Sequence, residues 1–230
     1  MIGIYDYTVV LTYLSLLSAC TGIFISLSGE GHPYLGCFFL MFCGLCDAFD
    51  GKVARTKKNR TEIESNYGIQ IDSLSDLVAF GILPTCIGTA LIRLSPMLQG
   101  VFEGPAAPWK VLSIKGGLHA ILVLYALAAM IRLAYFNVTE EERQKTEGGS
   151  RKVYIGLPVT SAALIFPMIL MFHYIFPADL TVIYILVALL TGFLFLSKLR
   201  VRKLGTVGIL GLVAVGTAEF LLMLWWYLVH

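Results

Sequence analysis

Charge is what this sequence has least of. Only 14% of its 230 residues are charged, against 57% that are hydrophobic, and the mean hydropathy is +0.80. A soluble domain carries roughly 25% charge, so a soluble globular protein is excluded. The net charge is small, at +2, and no nucleic-acid partner is expected. Histidine is limited to four residues, and His32 and His119 fall near expected external ends, where they are poor metal ligands. The five cysteines, Cys20, Cys37, Cys43, Cys46 and Cys86, lie in or beside apolar runs. They form no pair suited to zinc and read as small core residues. Internal repeats and low-complexity tracts are lacking too, which points to a single membrane-embedded domain over residues 1–230.

In place of charge the chain has long apolar runs. A hydrocarbon core of about 30 Å takes about 20 residues of helix, and seven segments approach that length: 9–27, 33–53, 71–92, 117–138, 159–176, 180–196 and 207–229. The first starts too polar and lacks the basic n-region and cleavage site of a removable signal, so it is read as a permanent helix. The pattern predicts an all-α, polytopic membrane helix bundle. Basic residues favour one side of it. Lys52, Arg55, Lys57, Lys58 and Arg60 follow the second span, Arg143, Lys145, Arg151 and Lys152 the fourth, and Lys198, Arg200, Arg202 and Lys203 the sixth. The positive-inside rule then makes the N-terminus and these segments cytoplasmic and puts His230 outside. Connector 95–116, with Pro96, Pro105 and Pro108, is expected as an external loop with a short interfacial helix around Trp109. Trp225, Trp226 and Tyr227 read as an interfacial aromatic belt.

Four carboxylates interrupt the apolar pattern. Asp47 and Asp50 are three apart, and Asp72 and Asp76 four apart, spacings that put each pair on one face of a helix. Two such helices facing each other make a four-carboxylate cage at the cytoplasmic ends of the second and third spans. Carboxylates crowded away from water are costly unless cations neutralise them. An all-oxygen donor set suits Mg²⁺, Mn²⁺ or Ca²⁺ better than zinc or copper. Two such ions about 3.5–4 Å apart form the arrangement that stabilises phosphoryl displacement. Gly51 and Ala54 share the face of Asp47, and Gly68 that of Asp72, leaving room for a flat ligand. Glycine inside a helix costs about 1 kcal/mol relative to alanine, a loss that close approach of a ligand or of a second helix would offset. An acidic intramembrane cage also marks cation pathways, so a divalent-cation transporter is the competing class.

The run Asp47-x-x-Asp50-Gly51-x-x-Ala54-Arg55, followed by Gly68-x-x-x-Asp72-x-x-x-Asp76, resembles the signature of the CDP-alcohol phosphotransferases. These membrane enzymes move a phosphoalcohol from a CDP-linked donor to an acceptor hydroxyl and release CMP. The resemblance implies that Asp47, Asp50, Asp72 and Asp76 hold two divalent cations, Mg or Mn. It implies that Gly51 and Ala54 make space for cytidine and that Asp76 is also the general base. It further implies a six-helix core, here about residues 8–203, with 207–229 as an added seventh span, and a homodimer. Gly68 joins the donor site for the room it leaves beside Asp72, and Arg55 is read as serving phosphate rather than bulk solvent, while its basic neighbours enforce topology. Twelve residues separate Arg55 from Gly68, a connector about one helical turn longer than the family pattern.

Within the family, the blocks 71–84, Arg132-Leu-Ala-Tyr-Phe-Asn137, 154–163 and 197–200 resemble the integral-membrane phosphatidylserine synthases. Tyr135 departs from them, standing where they commonly carry an arginine. This resemblance implies CDP-diacylglycerol as donor and L-serine as acceptor, with phosphatidylserine and CMP as products. Glycerol 3-phosphate or an inositol phosphate is the alternative acceptor. Arg132, preceded by a long apolar run, is deep enough to need an anionic partner, with substrate contact set against a structural pair or snorkelling to the interface. Asn137 is assigned either to the acceptor or to a helix cap. Glu219 is expected to pair within the bundle or at a dimer contact, and Gly208, Gly211 and Gly216 suggest close helix packing. The expected location is a bacterial cell membrane, with the active site on the cytoplasmic side.

Overall fold

Apolar length and punctuation by proline and serine determine the helices. The computed structural model describes residues 3–28, 32–104, 107–146, 153–175, 178–202 and 206–229. Helix α1 (Val10–Leu27) is followed by α2 (Pro33–Ala54), which opens on Pro33 at its first turn, where the missing N–H is harmless. Helix α3 (Glu62–Asp76) runs through a π-helical stretch, Leu77–Ile82, into α4 (Leu83–Leu94) without a break. Then come α5 (Pro96–Glu103), α6 (Pro108–Thr146), α7 (Ala162–Ile175), α8 (Thr181–Leu196) and α9 (Thr206–Val229). The bundle is an all-α membrane architecture. Among the described residues, Val10–Leu27, Glu62–Leu94 and Pro108–Arg143 are long and apolar enough to cross a bilayer. Val159–Phe172 and Thr181–Leu196 are shorter apolar helices.

Helix α2 is central, packing against α1, α4, α7 and α9. Apolar burial gives little drive between helices in lipid, so small residues and polar bonds fix the contacts. A Cβ on Gly44 would lie 2.5 Å from the Cβ of Ala163, so α2 and α7 meet there at glycine distance. Ser18 Oγ donates to the Phe39 carbonyl (3.0 Å), Cys43 Sγ to that of Ser15 (3.2 Å), and Ser75 Oγ to that of Thr12 (3.2 Å). Helix α1 thereby holds both acidic helices, one turn before Asp47 and beside Asp76. Behind them lies a buried aromatic cluster in which Tyr125 packs on Phe166 and Phe195, and Phe166 on Tyr184.

The π-helical stretch has a cause in the sequence. Pro84 has no N–H for the carbonyl of Phe80 and its ring crowds that carbonyl, so the backbone widens before the proline. The carbonyl is satisfied from another helix, since Tyr125 Oη donates to it at 2.6 Å. The sequence expectation of an external loop over 95–116 is corrected. Ser95 caps α5 by accepting from Leu98 N (3.1 Å), with Pro96 at the first position, so the short helix forms there. Trp109 instead lies exposed in the first turn of α6, a helix about 58 Å long at 1.5 Å per residue. The polar connector expected after residue 138 is also partly helical, since α6 continues to Thr146. Strands β1 (Val153–Ile155) and β2 (Arg200–Arg202) form a small antiparallel ribbon, pairing Val153 with Arg202 and Ile155 with Arg200. This ribbon joins two of the sequence blocks, 154–163 and 197–200, that lie far apart in the chain.

A candidate metal and donor site between α2 and α3

Asp47 and Asp50 project from the last turns of α2, and Asp72 from α3. One carboxylate oxygen of each lies within 4.8 Å of the others, and all three side chains are half-buried. Asp50 also accepts from the backbone N–H of Gly51. Asp76 stands one turn beyond Asp72, buried at 8% exposure, and is not one of the three. Three hard oxygen donors on two facing helices, partly shielded from water, fit a divalent cation of the Mg²⁺ or Mn²⁺ kind.

The small residues around the triad behave differently from one another. Among the described residues the nearest atoms to an added Cβ on Gly51 belong to the Arg55 guanidinium, at 3.6 Å, so packing against them does not require glycine there. Arg55 closes α2 and folds back over that position. Ala54 is half-buried in the last turn of α2. Over Gly68 the room is already filled, since an added Cβ would lie 2.1 Å from Nη2 of Arg60.

The long connector is an ordered structure. Thr61 and Glu64 form a capping box, Glu64 N–H donating to Thr61 Oγ1 (3.2 Å) and Thr61 N–H to Glu64 Oε2 (2.8 Å), which starts α3 ahead of its apolar part. Lys57 Nζ bridges Asp6 and Glu64 at 2.7 Å each, and Tyr13 Oη meets Tyr67 Oη at 2.8 Å. The hydrogen bond from Lys57, with help from Thr8, holds the Asp6 carboxyl down at about 2. These contacts strap residues 3–9 to the connector beside the carboxylates.

Arg132 is 6% exposed. Its Nε donates to the Leu157 carbonyl (3.3 Å) and its guanidinium lies 5.5 Å from the Phe136 ring centre. The turn it faces depends on Gly156, whose φ is +80° and whose absent Cβ would lie 2.7 Å from the Phe195 carbonyl. Asn137 does not cap a helix, because α6 continues past it, and its Nδ2 donates to Ser73 Oγ (2.6 Å), next to Asp72. Tyr135 is exposed. Glu219 is buried, and its Oε2 has no partner among the described residues. Trp225 is exposed, while the side chains of Trp226 and Tyr227, like those of Lys145, Arg151, Lys152, Arg200, Arg202 and Lys203, lie outside the described residues. Sequence reasoning missed Arg60, Ser73, Tyr125 and the Asp6–Lys57–Glu64 bridge. The spacing Thr61-x-x-Glu64, which marks a capping box, is the sequence signal that could have found part of this.

A membrane helix bundle with a carboxylate site on two adjoining helices defines a class of integral membrane proteins, and comparison with known proteins narrows it. The CDP-alcohol phosphatidyltransferase family model matches residues 8–194, and the chain belongs to that family. It is 31% identical over 166 residues to a CDP-diacylglycerol–serine O-phosphatidyltransferase of Saccharomyces cerevisiae, covering 68% of this chain and 51% of that protein. It is 32% identical over 152 residues to an archaetidylserine synthase of Methanothermobacter thermautotrophicus, covering 66% and 53%. With a CDP-diacylglycerol–serine O-phosphatidyltransferase of Mycobacterium leprae it shares 26% identity over 200 residues, covering 85% and 59%. The matched region thus spans between half and three-fifths of the length of these relatives.

Proposed function

We propose that this chain transfers a phosphatidyl group from CDP-diacylglycerol to the hydroxyl of L-serine, giving phosphatidylserine and CMP. The observation that carries the reading is the approach of Asp47, Asp50 and Asp72 within 4.8 Å inside a chain of this family. The names of the relatives support serine as acceptor. So does Lys57, a connector cation that a phosphorylated acceptor could have recruited, which is already held by two carboxylates.

Asp47, Asp50 and Asp72 would hold divalent cations, with Asp76 completing a four-carboxylate set for two ions. When bound, such cations supply charge neutralisation for the diphosphate and for departing CMP. Gly51 and Ala54 leave space for the cytidine, Gly68 belongs to the donor site with its open volume taken by Arg60, and Arg55 faces the phosphates. Asp76 takes the proton of the serine hydroxyl as its oxygen attacks the phosphorus that carries diacylglycerol. The bond from that phosphorus to the CMP oxygen breaks, and the electron pair leaves with CMP. The acyl chains stay in the bilayer throughout. Arg132, with Asn137 near it, lies on the acceptor side. The chain works as one membrane domain with a six-helix core and a seventh span, as a homodimer in a bacterial cell membrane, with the site on the cytoplasmic face.

Manganese binding tests the site. Titration of the purified protein with Mn²⁺, followed by electron paramagnetic resonance of the free ion, is expected to show saturable binding. Asp47→Asn, Asp50→Asn and Asp72→Asn should each weaken it at least about tenfold, since each removes a first ligand. Equal binding by wild type and all three variants would refute the assignment.

A further inference from the structure

Arg60 lies in the lengthened connector, outside the aspartate motif, and its placement is unusual. Its guanidinium occupies the volume that Gly68 leaves open, Nη2 lying 2.1 Å from where a Cβ would stand. Gly68 is one helical turn before Asp72 and on the same face, so this volume adjoins the carboxylates. The hydrogen bonding of Arg60 serves folding poorly. Nη2 donates to the Glu64 carbonyl at 3.0 Å, an acceptor that already receives the helical bond of Gly68 N–H within α3. Nε is buried and has no partner among the described residues. A buried guanidinium donor left unpaired costs more than an ordinary hydrogen bond returns, and an ordinary structural arginine would be better satisfied. Lys57, three residues earlier, shows the contrast with its two carboxylate partners.

We infer that Arg60 is a donor-recognition residue whose guanidinium, seated over Gly68, binds the nucleoside diphosphate part of the donor. This deepens the proposed function and depends on it. The chemistry matches. A planar fork of N–H donors suits the paired acceptors of a diphosphate or of a pyrimidine edge, and an ammonium in its place offers only a point charge. The extra turn of connector then has a task, because it brings an arginine back along α3 to the glycine that opens the pocket.

CDP itself is the probe. Thermal shift of the full-length protein in detergent with Mn²⁺ and increasing CDP measures binding without any acceptor, and steady-state assays give KM for CDP-diacylglycerol. Arg60→Ala is expected to weaken CDP at least about tenfold, the scale of one lost charge-assisted bond, and to raise KM for CDP-diacylglycerol similarly. Its kcat should change less than about threefold and its melting temperature without CDP should stay within about 2 °C of wild type, as for a change that removes no needed structural bond. Arg60→Lys, which keeps the charge and most of the volume, decides the matter if the alanine variant does not fold. It should show the same direction of loss, and wild-type CDP affinity in the lysine variant would overturn the inference. So would an alanine variant that melts lower yet binds CDP normally. If wild type itself shows no CDP-dependent shift, the proposed function falls, an outcome distinct from failure of Arg60 alone.

Discussion

Residue by residue, the site separates positions that the fold needs from positions that only a ligand needs. Gly44 and Gly156 are required by the chain itself, one by a neighbouring Cβ at 2.5 Å and the other by a φ of +80° and a carbonyl at 2.7 Å. Gly51 is different, since among the described residues its nearest neighbour is the tip of Arg55, at 3.6 Å. Gly51→Ala is therefore expected to fold and to gain up to about 1 kcal/mol of helix stability, while KM for CDP-diacylglycerol rises. Thermal melting and initial-rate kinetics on one preparation would check both, and an alanine variant with unchanged KM would return Gly51 to helix packing. The approach of Asp47, Asp50 and Asp72 was legible from spacing, because helix periodicity converts intervals of three and four into shared faces, whereas Asp76, placed on the face of Asp72 by the same rule, is not one of the three. Arg60, Ser73 and Tyr125 were not legible. Their partners are Gly68, Asn137 and Phe80, and the last two pairings cross between helices that no local pattern connects.

At the scale of elements, two devices set the geometry of the acidic helices. One is the widened stretch Leu77–Ile82, which follows Asp76 directly. Pro84 was visible in the sequence, yet residues 71–92 read as one regular helix because the compensating hydroxyl of Tyr125 comes from α6. Tyr125→Phe leaves the Phe80 carbonyl with one donor fewer in a buried place and should cost about 1–3 kcal/mol. Pro84→Ala restores an N–H to that carbonyl, so the tyrosine loss should be smaller in its presence, a coupling that a double-mutant cycle in urea or by heat would measure. Strict additivity would contradict the account. The other device is the strap formed by Asp6, Lys57 and Glu64. Asp6, held down at about 2, contributes order that is fully present above its ordinary value of 3.8 and is lost as pH falls toward 2. Lys57 is raised from 10.5 by the hydrogen bonds of the same carboxylates, so its share is present below that value and lost at higher pH. A nitroxide on Tyr5→Cys should be immobilised at neutral pH. It should gain mobility between pH 3.8 and 2, and at neutral pH in Lys57→Ala. Equal mobility in all three conditions would remove the strap.

For the whole molecule, scarcity of charge established a membrane bundle, and the family motif established which one. Hydropathy located the apolar helices well, since each must hide its backbone from lipid. It misjudged where they end, because α3 begins at the capping box of Thr61 and α6 runs on to Thr146, both as polar helix beyond the apolar runs. The ribbon of β1 and β2 was invisible to periodicity, as three residues per strand carry no pattern. The central claim, that the acidic site performs phosphatidyl transfer to serine, is most directly tested by CMP release. Purified protein would receive CDP-diacylglycerol with Mn²⁺ or Mg²⁺ and L-serine, glycerol 3-phosphate or inositol 1-phosphate separately, with Asp76→Asn as control. The account predicts metal-dependent CMP release with serine alone, reduced about 10²–10⁴-fold in the variant, the range of a lost general base. Release with a phosphorylated acceptor and not with serine, or release undiminished in Asp76→Asn, would contradict it.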